Sequence, residues 1–248
     1  MKPRHDRPVA LVTGAGRRIG AVIARTLHAA GYDLALHYRH SVDDARALAD
    51  ELQQRRAGST LLLRAELADT AALSAMIGQL LAHYGRLDAV VNNASTYYAT
   101  PLDDATPAQW DELFAANVRA PFFLSQAATP ALRESSGAIV NIADIYAERP
   151  LPGHAVYCAS KAALVMLTRS LAVELGPQVR VNAIAPGNVL WSTNPVKAET
   201  MTMVEERTTL GRQGTPQEIA DAVLFLLRDA RYCSGAVLPV DGGRLMHV

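Results

Sequence analysis

The chain has 248 residues, half of them apolar, and carries 24 basic and 24 acidic side chains, so it can bury a sizeable core but lacks bulk charge for nucleic acid or membrane. Two cysteines without CxxC spacing exclude a disulfide framework, and the apolar run after the basic N-terminus is too brief for a signal sequence. With no later apolar stretch of about 18 residues, we expect a soluble protein of the cytoplasm.

Short apolar runs alternate with segments of helical periodicity along the chain. The predicted strands are 9–14, 32–38, 60–67, 87–95, 137–143, 179–187 and 235–243. The predicted helices after the second strand are the charged segment 42–56 and then 70–84, 107–132, 155–175 and 216–228. Because the strands are continuously apolar, they predict a parallel sheet with helices on either side, in one domain over 1–248. Residues 188–214 are polar and weakly periodic, which suits a flap over a site.

The first strand leads into a glycine-rich turn, "VTGAGRRIG". Such a turn lets the backbone approach a pyrophosphate, whose charge the following helix N-terminus stabilises. The pattern predicts a dinucleotide site, although glycine turns before helices are also common structural elements.

The second strand ends in "LHYRHS", where an NAD site usually carries an acidic residue. Arg39 and Ser41 are instead suited to hold a 2′-phosphate by charge-assisted hydrogen bonds, and Arg18 adds a second positive charge. The alternative is a solvated basic loop. The absence of an acid favours NADPH as the cofactor.

Tyr157 and Lys161 are spaced i and i+4 on the predicted helix 155–175 and share one of its faces. A nearby ammonium favours tyrosinate, so we expect Lys161 to lower the pKa of Tyr157 and make it a proton donor. An amphipathic pair without any chemistry gives the same spacing.

Along nearly its whole length the sequence resembles the short-chain dehydrogenase/reductase family, on "TGAGRRIG", "NNAS", Asn117, "YCASK", "VRVNAIAPG" and "SGAVLPVDGG". The resemblance implies a single-domain Rossmann-type, doubly wound α/β fold and an NAD(P)-dependent oxidoreductase. It also implies that Tyr157 is the general acid/base, that Lys161 binds the nicotinamide ribose, and that Asn117 supports a proton relay. Family members are often homotetramers.

Two departures narrow the resemblance to the pteridine reductase subfamily. Arg18 stands at the middle glycine of the family turn, and Asp144 stands where the family has its active-site serine. The subfamily resemblance implies that Arg18 contacts cofactor phosphate and substrate, that Asp144 joins Tyr157 in proton delivery, and that Ser95 contacts cofactor and pterin. It places Tyr97 in a stack on the pterin ring.

The resemblance implies the following cofactor contacts, with no metal: Gly14, Arg18, Ile19, Tyr38, Arg39, His40, Ser41, Glu66, Leu67, Asn93, Ala94, Ser95, Tyr157, Lys161, Pro186 and Gly187. Three further side chains have two interpretations each. His154 lines the site entrance or lies in a surface loop, Trp191 covers substrate or packs the flap, and Arg244 reaches a site across a subunit interface or lies in solvent.

The residues suit reduction of a flat nitrogen heterocycle, because an aromatic ring stacks on it and a carboxyl group can bond its amino-pyrimidine edge or pass a proton to a ring nitrogen. We therefore predict NADPH-dependent reduction of dihydropterins or dihydrofolate. The alternatives are a carbonyl or 3-oxoacyl thioester reductase of the same family, and a non-catalytic NADPH sensor or scaffold.

Overall fold

The computed structural model describes residues 6–189 and 198–247, with the side chains of 198–201 left out. The strands are β1 Val9–Val12, β2 Asp33–Tyr38, β3 Thr60–Arg64, β4 Ala89–Asn92, β5 Ala138–Ile142, β6 Arg180–Pro186 and β7 Val237–Val240. The helices are α1 Arg18–Ala29, α2 Val42–Arg55, α3 Thr70–Tyr84, α4 Pro107–Phe114, α5 Ala120–Ser135, α6 Ala155–Leu175, α7 Ala198–Glu206 and α8 Pro216–Leu224.

All seven strands form one parallel sheet in the order β3-β2-β1-β4-β5-β6-β7. The strand order reverses direction between β1 and β4, which makes this position the topological switch point of the sheet. In such sheets ligands bind at the switch point, in the crevice beyond the carboxyl ends of the strands. The glycine turn after β1 and the "NNAS" segment after β4 therefore meet there.

Both faces of the sheet are covered, as the continuously apolar strands predict. Along β1, Ala10 and Val12 pack with α1, α2 and α8, whereas Val9 and Leu11 pack with α3, α5 and α6. Successive side chains of a strand point to opposite faces, so each strand contributes to both cores. The predicted doubly wound α/β architecture is confirmed.

The predicted helix over 107–132 is interrupted by a π-helical turn at Ala115–Arg119, between α4 and α5. Such turns occur mostly as single insertions in α-helices and are frequent at functional sites. The turn contains the predicted site residue Asn117, whose side chain is fully buried. Helical periodicity predicted the surrounding helix, but it carries no signal for a one-turn change of hydrogen-bond register.

The predicted flap over 188–214 contains a helix, α7, that weak periodicity did not indicate. Residues 190–197, which include Trp191, lie outside the described part of the chain.

Helix α6 is long and apolar enough to cross a membrane, with a mean hydropathy of 1.3, although the sequence predicted no span. It packs on β6, and its Tyr157 and Lys161 are buried. Helix α6 is therefore a core helix of this domain. Within its first turns Ala159 is exposed, whereas Tyr157, Cys158, Ser160 and Lys161 are buried.

Candidate active site

The glycine turn after β1 brings the backbone close to the start of α1. Gly14 has φ +62°, and a Cβ on Gly20 would lie 2.2 Å from the carbonyl oxygen of Gly14. Arg18 has φ +53°, in the left-handed region that glycine adopts at little cost. This conformation explains why a glycine fits that position of the family turn, and why an arginine there is a strained exception.

The first turn of α1 is suited to an anion. Among the described residues no side chain caps this helix, and its first turn contains no acidic residue. Uncapped N–H groups and the positive end of the helix dipole favour a phosphate at this position.

The segment after β4 is fixed to the same turn. Thr13 Oγ1 accepts hydrogen bonds from the backbone N–H groups of Asn93 and Ala94 at 2.9 and 3.0 Å. Asn93 Nδ2 donates to Thr13 O at 2.9 Å and to Gly14 O at 3.3 Å. The two loops at the switch point are therefore one hydrogen-bonded unit.

A cavity of about 660 Å³ opens at this point of the sheet. Most of the predicted cofactor residues line it: Gly14, Arg18, Ile19, Tyr38, Arg39, His40, Ser41, Glu66, Leu67, Asn93, Ala94 and Ser95. The sequence did not single out several other lining residues, namely Arg17, Gly20, His37, Ala68, Thr96, Glu112, Ala115 and Ala116.

At one end of the cavity Arg39 forms an ion pair with Glu66, with 2.6 Å between Nε and Oε2. Both side chains are about half exposed, so the pair contributes little to stability. Its effect is to hold a guanidinium at the end of β2, where the sequence predicted a phosphate contact.

His37 stabilises the glycine turn through a hydrogen bond to Gly14. Its Nδ1 accepts from Gly14 N at 3.2 Å and its Nε2 lies 3.2 Å from Ala65 O, an arrangement that needs the neutral Nε2–H tautomer. Burial lowers the pKa of His37, which keeps the ring neutral. Its only sequence signal was a histidine within an apolar strand.

Tyr157 and Asp144 form a direct pair. The Tyr157 hydroxyl donates to Asp144 Oδ2 at 2.7 Å, and Asp144 Oδ1 accepts from Tyr146 N at 2.9 Å. Burial raises the pKa of Asp144, and burial together with the neighbouring carboxylate raises the pKa of Tyr157. The pair therefore retains protons at neutral pH more strongly than free side chains do.

Lys161 lies beside this pair, but the prediction that it lowers the pKa of Tyr157 is wrong here. Its Nζ is 5.7 Å from the centroid of the tyrosine ring and donates to Ile142 O at 3.0 Å. Burial lowers the pKa of Lys161 itself to about 8. Desolvation thus outweighs the attraction expected from the i, i+4 spacing.

Asn117 connects the cavity to α6, the helix that carries Tyr157 and Lys161. Its Oδ1 accepts from Ser95 Oγ at 2.9 Å and from Thr96 N at 3.0 Å. Its Nδ2 donates to Thr96 O and to Ser160 Oγ, both at 3.0 Å, and Ser160 donates to Tyr157 O at 2.7 Å. The whole donor and acceptor capacity of this amide is used.

Tyr97 lies at the open side of the pair and is 50% exposed. Its ring is edge-on to Tyr157, with 4.8 Å between centroids, and is stacked on His154 at 5.0 Å. Of the two interpretations of His154, the structure favours the site entrance. Tyr97 thus presents a half-exposed aromatic surface next to the predicted proton donor.

Pro186 and Gly187 lie at the carboxyl end of β6 and are not among the described residues that line the cavity. Gly187 is packed so closely that an added Cβ would lie 2.7 Å from Asp241 Cα. Arg244 is partly buried, and its Nη1 donates to Val204 O of the same chain at 3.0 Å, so it does not lie free in solvent. Its reach across a subunit interface stays a prediction.

The buried ammonium of Lys161 gives a stability prediction. Its pKa is lowered from 10.5 to about 8, so folding favours the neutral amine and stability rises as the pH increases from about 8 to 10.5. Burying the charged amine costs about 1.4 kcal/mol for each unit by which its pKa is lowered, and Lys161→Met removes this cost together with the hydrogen bond to Ile142 O. The free energy of unfolding at pH 7 should therefore rise by about 1–3 kcal/mol in the variant.

Denaturant unfolding of the wild type and Lys161→Met at several pH values measures this effect. The rise in stability above about pH 8 should disappear in the variant. Arg133→Met, at an exposed position on α5, is the control for adding a methionine. A variant less stable than the wild type at pH 7 would contradict the prediction.

Comparisons with known proteins agree with this arrangement. Residues 14–244 match the family model described as Enoyl-(Acyl carrier protein) reductase. The chain is 35% identical to "Pteridine reductase 1" of Leishmania tarentolae, over 95% of this chain and 96% of that protein. It is 36% identical to a 3-oxoacyl-(acyl-carrier-protein) reductase of Staphylococcus aureus, over 96% and 98% of the two chains.

Two solved structures are similar over nearly the whole chain. A double mutant of a Serratia marcescens short-chain dehydrogenase/reductase has a TM-score of 0.91 and 37% identity, covering 98% of this chain and 99% of its own. A blue fluorescent protein from a metagenomic library, in complex with NADPH, has a TM-score of 0.90 and 37% identity, covering 96% and 97%. With this sheet, glycine turn and Tyr157–Lys161 helix, the chain belongs to the short-chain dehydrogenase/reductase family.

Proposed function

We propose that this oxidoreductase is an NADPH-dependent pteridine reductase that reduces dihydropterins, dihydrofolate or both to the tetrahydro form. The observation that carries the proposal is the hydrogen bond from the Tyr157 hydroxyl to the Asp144 carboxyl. A carboxyl group in this place can supply a second proton-transfer group for a ring nitrogen, whereas carbonyl reduction needs only one donor to an oxygen.

The residues at the switch point fit NADPH. The close approach of Gly14 and Gly20 and the uncapped start of α1 suit a pyrophosphate. Arg39, held by Glu66, and Ser41 would hold the 2′-phosphate in preference to a free hydroxyl. NADPH supplies the hydride when bound.

The protein groups hold and move the proton. Asp144, whose pKa burial raises, would return a proton to the Tyr157 oxygen as Tyr157 donates its own to the substrate. In this step Asp144 is protonated and donates in the bond in which the structure has Tyr157 as the donor. Two negative oxygens 2.7 Å apart are then never required at once. The Lys161 ammonium, held by Ile142 O, adds positive charge near the tyrosine ring.

Tyr97 provides the aromatic surface for a flat heterocycle. Its ring is half exposed and already braced by His154 and Tyr157. Ser95 lines the cavity and donates to Asn117 Oδ1, a position that supports the proposed contact with both cofactor and substrate. Arg18, held in a strained conformation at the turn, adds a positive charge at the same cavity.

The second candidate is a 3-oxoacyl thioester reductase. Overall identity is 36% to a reductase of this kind and 35% to the pteridine reductase, so it does not separate the two candidates. Our preference for a pterin substrate therefore rests on Asp144, Tyr97 and Arg18. Reduction of a ketone needs neither a second acidic group nor a stacking aromatic ring.

We further propose that 1–248 acts as one NADP-binding reductase domain of a cytoplasmic homotetramer. Met166 and Val173 of α6 are 58% and 82% exposed. Beside them a groove is lined by Phe114, Phe122 and Leu167 and carries both Asp111 and Arg119. Apolar side chains flanked by opposite charges suit contact with a second copy across a two-fold axis.

Oxidation of NADPH by the purified protein with dihydrobiopterin, dihydrofolate and acetoacetyl thioester, assayed in parallel, tests the proposal. We expect turnover with at least one of the two dihydro compounds. Turnover with the thioester alone would favour the second candidate, and turnover with none of the three would favour a non-catalytic NADPH-binding protein.

Replacing Asp144 separates the two enzyme candidates. Asp144→Ser should lower kcat for the dihydropterin by at least about 100-fold, the usual contribution of a positioned general acid. Exposed Asp103→Ser is the matched control. If thioester reduction is the true activity, Asp144→Ser introduces the family serine and leaves turnover intact or increases it.

The hydrogen-bonded pair Tyr157–Asp144 should also make kcat depend on pH. Because burial raises the pKa of Asp144 and the proton-relay form is protonated, kcat for the dihydropterin should fall as the pH rises through that raised pKa. This fall in kcat with rising pH should be absent from the residual activity of Asp144→Ser. If kcat falls with pH in the same way in the wild type and the variant, the pH dependence belongs to another group.

Cofactor selection depends on Arg39. Arg39→Ala should reduce the preference for NADPH over NADH about tenfold, since a charge-assisted bond at an exposed position contributes about 1.5 kcal/mol. Fluorescence titration with both nucleotides measures the ratio, and Arg46→Ala, an exposed position on α2, controls for lost positive charge. Equal loss of affinity for both nucleotides would contradict this role.

A further inference from the structure

The C-terminal turn is hydrogen-bonded to two segments, the one that follows Asp144 and helix α7. Arg149 Nη1 donates to the carbonyl oxygen of Arg244 at 3.0 Å. Arg244 Nη1 in turn donates to the carbonyl oxygen of Val204 in α7 at 3.0 Å. These bonds connect the segment after Asp144 to the described part of the flap.

The catalytic end of this connection is a compact turn. Ala147 N donates to Asp144 O at 3.1 Å, and Arg149 N donates to Ile145 O at 3.0 Å. The Asp144 side chain also accepts from Tyr146 N. The backbone from Asp144 to Arg149 is therefore one hydrogen-bonded unit that carries both the Asp144 carboxyl and the Arg149 guanidinium.

The other end is fixed to the segment that follows α7. Leu210 N donates to Gly242 O at 3.0 Å, and Thr209 Oγ1 donates to Gly243 O at 3.2 Å. Gly242 and Gly243 have φ values of +64° and +81°. A Cβ on Gly243 would lie 2.5 Å from Thr209 Oγ1, so the approach requires glycine.

The turn itself is held by Asp241, whose two carboxylate oxygens accept from Gly243 N at 2.9 Å and from Leu245 N at 2.8 Å. Arg149 and Arg244 are both partly buried. Their acceptors are main-chain carbonyl oxygens, which have fixed positions, so the two guanidinium groups determine the distance between the segments they join.

We propose that Arg149 and Arg244 are positioning residues. With the C-terminal turn they form a strap between the Asp144 turn and α7, and this strap sets the width of the substrate end of the site. The inference rests on the proposed function in one respect: Asp144 must work on a substrate that α7 helps to enclose.

Kinetics of Arg149→Ala, Arg244→Ala and the double variant test the strap. Arg244→Ala should raise KM for the dihydropterin about tenfold, with kcat lowered by less than about threefold and the Kd for NADPH unchanged. Because the bonds act in series, the double variant should be no worse than Arg244→Ala. Arg244→Lys, which keeps one donor, should recover part of the loss, and exposed Arg133→Ala is the control.

Hydrogen exchange gives a readout that needs no substrate. The amides of α7 around Val204 and the amide of Ala147 should exchange at least about tenfold faster in both single variants than in the wild type and Arg133→Ala. Unchanged exchange, or additive effects in the double variant, would overturn the strap. Faster exchange in a protein that reduces no pterin would support the strap as a structural link and reject the proposed function.

Discussion

The site depends on one buried amide. Asn117 lies in the π-helical turn between α4 and α5 and uses its whole side chain to join the segment after β4 to Ser160 of α6. A buried amide left without partners is costly, so this network fixes the distance between the cavity wall and the catalytic helix. Asn117 thereby links Ser95 and Thr96 in the cavity wall to Ser160 of the helix that carries Tyr157.

Burial then decides the chemistry of the ionisable groups. Tyr157 and Lys161 are almost fully buried, and Asp144 accepts hydrogen bonds from Tyr157 and from its own turn. Desolvation disfavours every charged form, which raises the pKa of the two acids and lowers the pKa of the amine. Proton transfer along a neutral pair is therefore favoured over a standing tyrosinate.

The edge of the sheet that carries β6 and β7 has a different role. There the C-terminal turn contacts both the Asp144 turn and the segment after α7. Enzymes often build substrate selectivity into such loops while the sheet holds the cofactor residues. In this chain side chain to main chain hydrogen bonds join these segments, and in the strap that we propose they would set the width of the substrate end.

The sequence by itself determined the alternation of buried strands and helices, the glycine turn and the pair Tyr157–Lys161, because periodicity, glycine and fixed helical spacing act over a few residues. Through resemblance it also predicted that Asp144 acts with Tyr157, and the structure has the two side chains hydrogen-bonded at 2.7 Å. Only the tertiary structure brought Asn117 to Ser160, Tyr97 to His154 and Arg149 to Arg244, since these contacts join segments distant in sequence. The π-helical turn, the direction of the pKa shift of Tyr157 and the position of α7 were decided there too, because burial and hydrogen-bond register depend on the packing of the whole domain.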